Sequence, residues 1–257
     1  MSFLHGFKKN LNRAGTSLMQ RTGAVDRTED GEFADEYERF KILEKKCEKL
    51  SKNAKAFLDA MRAMTTTQLR IAQTLGLFYD DWVVMSQGGR EYVKTIERFN
   101  EETKTDLDKA FQTTVLEPLA RLCSYFPEIN EAVKRRKKKQ LDYDAQKSKV
   151  RKLIDRPSDD PQKLPMAEQE ADLAREMYEG LNTILITDLP KVVDLRVPYL
   201  DPSFEALIKT ELVFSQKSYE QLEALRSQFP QEMEQGQDTR VDDILQQMRS
   251  LTITGNF

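Results

Sequence analysis

One histidine and two cysteines in 257 residues leave little material for acid–base or metal chemistry. The histidine, His5, falls within the first few residues, so a histidine-based catalytic or metal site in the body is excluded. Cys47 and Cys123 stand among apolar neighbours in a chain read as carrying no signal peptide, and are expected to be buried small hydrophobes rather than a disulfide or metal pair. There is no glycine-rich phosphate loop, nucleophile elbow or Cys-x-x-Cys motif. Carboxylate pairs such as Asp80-Asp81 are common in a chain with 43 acids and read as solvated surface, so neither an enzyme nor a cofactor is expected. No run of 18 apolar residues exists to span a bilayer. Ser2 at the second position excludes myristoylation, and the final Thr254-Gly255-Asn256-Phe257 offers no cysteine for prenylation, so any membrane contact must be peripheral.

Ten glycines and nine prolines are few, and period-two alternation of β-branched residues is rare, so the chain reads as all-α. With 32% charged residues and a mean hydropathy of −0.64, it suits long helices with narrow seams better than a thick core. Seam positions spaced by seven run Phe33, Phe40, Cys47, Ala54, Met61, Gln68, Leu75 and Trp82. The second set is Glu36, Leu43, Leu50, Phe57, Met64, Ile71, Phe78 and Met85, and Gly88-Gly89 offers a break afterwards. A second helical stretch is expected from about residue 90 to 154, bent at Pro118 and Pro127. A turn follows over 155–161. A third stretch starts near Leu164 and kinks at Pro190, Pro198 and Pro202, and a short last helix is expected over 239–251.

Charge is unevenly placed. The formal net charge is only −3, yet Lys134, Arg135, Arg136, Lys137, Lys138 and Lys139 form an unbroken basic run. Lys147, Lys149, Arg151 and Lys152 extend it against only Asp142 and Asp144. The first 25 residues add Lys8, Lys9, Arg13 and Arg21 with no acid, leaving the remainder acidic. Two basic patches on an acidic body point to an anionic surface as partner. Within residues 3 to 18, Phe3, Leu4, Phe7, Leu11, Ala14 and Leu18 recur at helical spacing, with the basic residues between them. Gly6, Asn10, Asn12 and Gly15 lower its helicity, so this arm is expected to be disordered until an apolar surface takes up its face.

Phe7-Lys8-Lys9 followed by Asn12-Arg13-Ala14-Gly15 resembles the opening of the fungal RVS (reduced viability upon starvation) proteins, which belong to the BAR-domain group with amphiphysins and endophilins. Leu43-Glu44-Lys45, Leu58-Asp59 and Lys149-Val150-Arg151-Lys152-Leu153 add to the match. So does the long block Leu195-Arg196-Val197-Pro198-Tyr199 with Asp201-Pro202-Ser203-Phe204-Glu205-Ala206-Leu207-Ile208-Lys209. Where the family often has a tryptophan near the start, this chain has Phe3-Leu4-His5, which keeps apolar area.

The resemblance covers residues 6 to 251 and implies three long kinked helices in an antiparallel coiled coil, paired into a crescent-shaped dimer, plus an N-terminal amphipathic helix. The expected organisation is a membrane-inserting segment over 1–25, a BAR domain over 26–251 and a tail over 252–257, as in short members consisting of this domain alone. It further implies a scaffold that senses or generates membrane curvature in endocytosis, cytoplasmic and peripheral at the plasma membrane and cortical actin patches. The implied partners are anionic lipids, the cortical actin machinery, and either an identical subunit or a longer paralogue bearing a Src-homology-3 domain. The expected insertion residues are Phe3, Leu4, Phe7, Leu11 and Leu18. The expected headgroup ligands are Lys8, Lys9, Arg13, Lys134 to Lys139, Lys147, Lys149, Arg151 and Lys152. The other reading is a coiled-coil adaptor whose basic run is a nuclear signal or nucleic-acid patch. Against it, no stacking platform or groove-reading motif accompanies the charges, and no nucleic-acid partner is expected.

Overall fold

A computed structural model describes residues 2–78, 87–228, 239–251 and 253, the side chains of residues 2–6, 8, 102–104, 239 and 240 excepted. Among the described residues the chain is helical apart from short connections, without strands. Helix α1 spans Ser2–Arg21. Helix α2 spans Gly31–Leu77, about 70 Å at 1.5 Å per residue. Helix α3 spans Gln87–Phe111 and passes through a π-helical turn, Gln112–Leu116, into α4, Glu117–Ser124. Helices α5 (Phe126–Asp155), α6 (Lys163–Asp194), α7 (Arg196–Arg226) and α8 (Thr239–Arg249) complete the order.

Prolines set several of these boundaries. Pro118 and Pro127 fall in the first turns of α4 and α5, where proline's missing N–H is better tolerated than in a helix interior. The bends expected there are therefore restarts of the helix, one after a π-helical turn and one after the single non-helical residue Tyr125. Pro190 is carried inside α6, and the third stretch is interrupted at Leu195 instead. Gly88 and Gly89 lie in the first turn of α3 rather than forming the break, and α2 ends earlier, at Leu77. Trp82 and Met85 lie outside the described residues, as does most of the tail after residue 251.

The chain divides into two compact units, one of residues 1–54 with 116–204 and one of residues 55–115 with 205–257. In the first unit, Phe33, Phe40, Leu43 and Cys47 of α2 meet Phe126 of α5 and Leu185, Leu189 and Val193 of α6. Both contributing stripes have helical spacing, and rings reinforce the seam. Phe33 stacks on Tyr37 at 5.7 Å, Tyr37 on Phe40 at 6.1 Å, and Phe126 meets Phe40 edge-on at 5.7 Å. Helix α2 starts where the Asp30 carboxylate accepts the Phe33 N–H at 3.0 Å, satisfying one orphan donor of its first turn.

In the second unit, Phe99 and Leu107 of α3 pack with Phe214 of α7 and Met61 of α2. Phe57 stacks on Phe111 at 5.6 Å, and the Arg62 guanidinium grips Asp108 at 2.9 and 3.0 Å. The seven-residue seam expected along α2 is covered only in part by the chain's own helices here. After Ala54 the buried stripe continues as Leu58, Thr65 and Ala72, while Met64, Ile71, Leu75 and Phe78 are exposed.

Candidate functional site

The basic run lies on α5, which pairs antiparallel with α6. Arg136 reaches Asn182, Lys139 reaches Met177, and Lys149 reaches Glu170, so rising numbers on one helix meet falling numbers on the other. Six consecutive helical positions cannot share one face, and the structure sorts them. Lys134, Arg135, Lys137 and Lys138 are exposed, Lys139 is half-buried, and Arg136 is only 4% exposed.

Arg136 is thus a correction to the sequence reading: it is a core residue and not a headgroup ligand. Its guanidinium sits 3.5 Å over the centre of the Phe33 ring and 5.2 Å from that of Tyr178. It donates to the Tyr178 hydroxyl at 3.1 Å and to Asp30 at 3.4 Å, and Asn182 accepts from its Nε. Burial lowers its pKa, and Tyr178 and Asp30 oppose that shift. Burial also raises Asp30, but the Phe33 N–H, Asn182 and Arg136 outweigh it and hold the carboxyl below its ordinary value. The same guanidinium therefore ties the start of α2 to both α5 and α6.

At 100° per residue, Lys134, Lys138, Lys149 and Lys152 fall within about 60° of one another on α5, opposite Arg136, with Arg135 and Lys137 on the flanks. Lys134 pairs with Glu131 at 2.6 Å, a neighbour one turn away, and Lys149 pairs with Glu170 at 2.7 Å. Arg135, Lys137, Lys138, Lys147 and Lys152 have no ion-pair partner among the described residues. Arg151 is exposed and pairs with Asp26 at 2.7 Å.

Helix α1 lies across the same region of α5, and its anchoring was not anticipated. Arg13 grips Asp142 through two contacts of 2.8 Å, with both side chains about four-fifths buried. The paired carboxylate raises the pKa of that guanidinium, against the opposing pull of burial. Gln20 donates to Asp144 at 2.7 Å, and Asp144, 1% exposed, also accepts the Thr28 N–H at 3.3 Å and its hydroxyl at 2.5 Å. Thr16 and Val25 are buried alongside. The segment expected to be unstructured without an apolar surface is instead a helix held down by polar contacts. Arg13, expected at a headgroup, is engaged with Asp142.

This anchoring leaves the apolar side of α1 outward, with Phe7 70%, Leu11 63% and Leu18 63% exposed. Lys9 is exposed, and the side chains of Phe3, Leu4 and Lys8 lie outside the described residues. Asp142 is one helical turn from Lys138, so the α1 anchor and the open basic surface adjoin on one helix. Sequence reasoning missed Asp142, Asp144, Asn182 and Tyr178. Only the local excess of bases around the two aspartates hinted that they had partners.

No helix among the described residues is long and apolar enough to cross a membrane, and none of their acidic, cysteine or histidine side chains cluster as metal ligands. A profile of the BAR domain matches residues 7–231. The chain is 47% identical to Protein hob3 of Schizosaccharomyces pombe over 98% of its own length and 97% of that protein. It is 40% identical to "Regulator of cytoskeleton and endocytosis RVS161" of Candida albicans over 97% of each. Among solved structures, the Drosophila amphiphysin BAR domain superposes with a TM-score of 0.66 at 25% identity, covering 79% of this chain and 94% of that one. With its all-helical build and the profile match over most of its length, this chain belongs to the BAR-domain family.

Proposed function

We propose that this protein is a peripheral scaffold that binds anionic bilayers and senses or imposes their curvature, acting in endocytosis beside the cortical cytoskeleton. The observation that carries this reading is the juxtaposition on α5 of an open basic surface and an anchored helix that turns Phe7, Leu11 and Leu18 outward. Each Lys or Arg near an anionic leaflet contributes about 1 kcal/mol, and surface fields decay over ~8 Å at physiological salt. The exposed charges of Lys134, Arg135, Lys137 and Lys138 therefore attract a bilayer only where its surface follows the protein closely. Burying the three apolar α1 side chains adds about 1.5–3 kcal/mol each before ordering costs. Phe3 and Leu4 belong to the same proposed inserting segment, and Lys8, Lys9, Lys147, Lys149, Arg151 and Lys152 to the proposed headgroup contacts.

The active form in this reading is a dimer. Ile184, Leu195 and Phe204 in the first unit are each more than half exposed, as are Ile208, Leu212 and Tyr219 in the second, which is apolar area suited to a second subunit. That subunit is either identical or a longer paralogue with a Src-homology-3 domain, and co-purification from cells distinguishes the two. The functional test is co-sedimentation with phosphatidylserine-containing vesicles of graded diameter. Binding should rise as diameter falls, and combining Arg135→Glu, Lys137→Glu and Lys138→Glu in one variant should weaken it at every diameter. Equal binding of all diameters by wild type would reject the curvature reading.

A further inference from the structure

The anchored α1 roofs a cavity of about 520 Å³ between α5 and the start of α6. Its apolar surface comes from Met19 of α1, Val25 of the segment just after it, Leu153 of α5 and Met166 of α6. Thr16 adds a methyl rather than a free donor, since its hydroxyl is bonded to the Asn12 carbonyl at 3.0 Å. Lys149 and Lys152 of α5 and Lys163 of α6 also line it, with Glu170 as the one acid of the lining. Glu170 is already paired with Lys149 at 2.7 Å, which leaves Lys152 and Lys163 without an ion-pair partner among the described residues.

We infer that this cavity binds a single-chain anionic lipid, with its phosphate or carboxylate on Lys152 and Lys163 and its alkyl chain along Met19, Val25, Leu153 and Met166. The volume falls in the range of small-molecule sites, which combine an apolar lining with a few placed polar groups. A free inorganic anion would leave the apolar walls in water, and an uncharged chain would leave two ammonium groups unanswered. An amphiphile satisfies both. Because Met19 and Val25 belong to α1 and the segment just after it, a bound lipid also holds that helix in its anchored position. The site goes beyond the curvature reading and does not depend on it.

The test is calorimetric titration of the full chain with oleoyl lysophosphatidic acid kept below its micellar concentration. Saturable binding of one lipid per chain is expected. Lys152→Glu with Lys163→Glu should weaken it about tenfold or more, as should Met166→Trp, which places a ring at an exposed lip of the cavity without touching the core. Inorganic phosphate and oleoyl lysophosphatidylcholine should each bind about tenfold more weakly than the probe, and amide exchange over residues 13–21 should slow when the probe is bound. Circular dichroism of each variant verifies its fold. Absence of saturation, indifference to Met166→Trp, or equal binding of the zwitterionic lipid overturns the inference. Vesicle co-sedimentation of Met166→Trp separates the two readings: lost probe binding with unchanged vesicle binding supports a cavity that acts apart from bilayer attachment although it shares Lys149 and Lys152 with the α5 surface, whereas intact probe binding overturns the cavity whatever the vesicles do.

Discussion

Removing the Asp142 carboxylate should free α1 from α5 without unfolding the rest of the protein. Arg13 and Asp142 meet through two contacts of 2.8 Å, and both side chains are about four-fifths shielded from water. A pair this sheltered and doubly bonded is worth more than a surface ion pair, and about 2 kcal/mol is a reasonable loss for Asp142→Ala. At about 1.4 kcal/mol per factor of ten, the ratio of anchored to released helix falls about 30-fold. The Gln20–Asp144 bond and the buried Thr16 and Val25 remain, so residues after the helix stay in place. Amide hydrogen exchange resolved by residue is the assay: exchange over residues 9–15, before the Thr16 and Gln20 contacts, should accelerate by about that factor while α5 and α6 keep their protection. Arg13→Asp combined with Asp142→Arg should restore part of the protection by rebuilding the pair in reverse. Unchanged exchange over α1 in Asp142→Ala, or a loss spread evenly over α5 and α6, would refute the assignment of Asp142 as the anchor.

Three further outcomes follow from the same geometry. Arg136→Met should lower stability by about 3 kcal/mol in denaturant titration, because it removes the cation opposite the sheltered Asp30 together with its bonds to Tyr178 and Asn182, whereas Lys137→Glu with Lys138→Glu on the exposed side should change it by less than about 1 kcal/mol. Asp30, held below its ordinary pKa of 3.8, contributes stability that is present above that value and lost as pH falls through the depressed one. Asp30→Asn keeps a capping side chain, so its denaturation midpoint should fall less steeply below pH ~4 than that of wild type. Burial pushes the Cys47 thiol up to about 11 and raises that of Cys123, so both should react with a thiol reagent far more slowly folded than unfolded, as followed by mass spectrometry.

Helical class, the seam through Ala54 and the burial of Cys47 were legible because each depends on neighbours a few residues away along one helix. The α1 side chains were legible as an apolar stripe for the same reason, and Phe7, Leu11 and Leu18 do share an exposed side. Whether that stripe or the polar side would face the body was not legible, since the choice rests on Asp142 and Asp144, more than 120 residues away. The lower part of α2 shows a second kind of limit. Met64 and Ile71 continue the heptad in sequence but are exposed in the single chain, whose own helices cover the adjacent positions Thr65 and Ala72.

The basic run shows the division most sharply. Composition and charge order by themselves determine that an acidic chain carries a concentrated positive segment on a helix, because formal charge and helical periodicity are local properties. Nothing local distinguishes Arg136 from Arg135. Only the tertiary structure brings Phe33, Tyr178, Asp30 and Asn182 around that guanidinium and turns Arg135 to water. The physical reason is that a cation can leave water only where several remote groups jointly replace its hydration, and such convergence exists once the helices have packed.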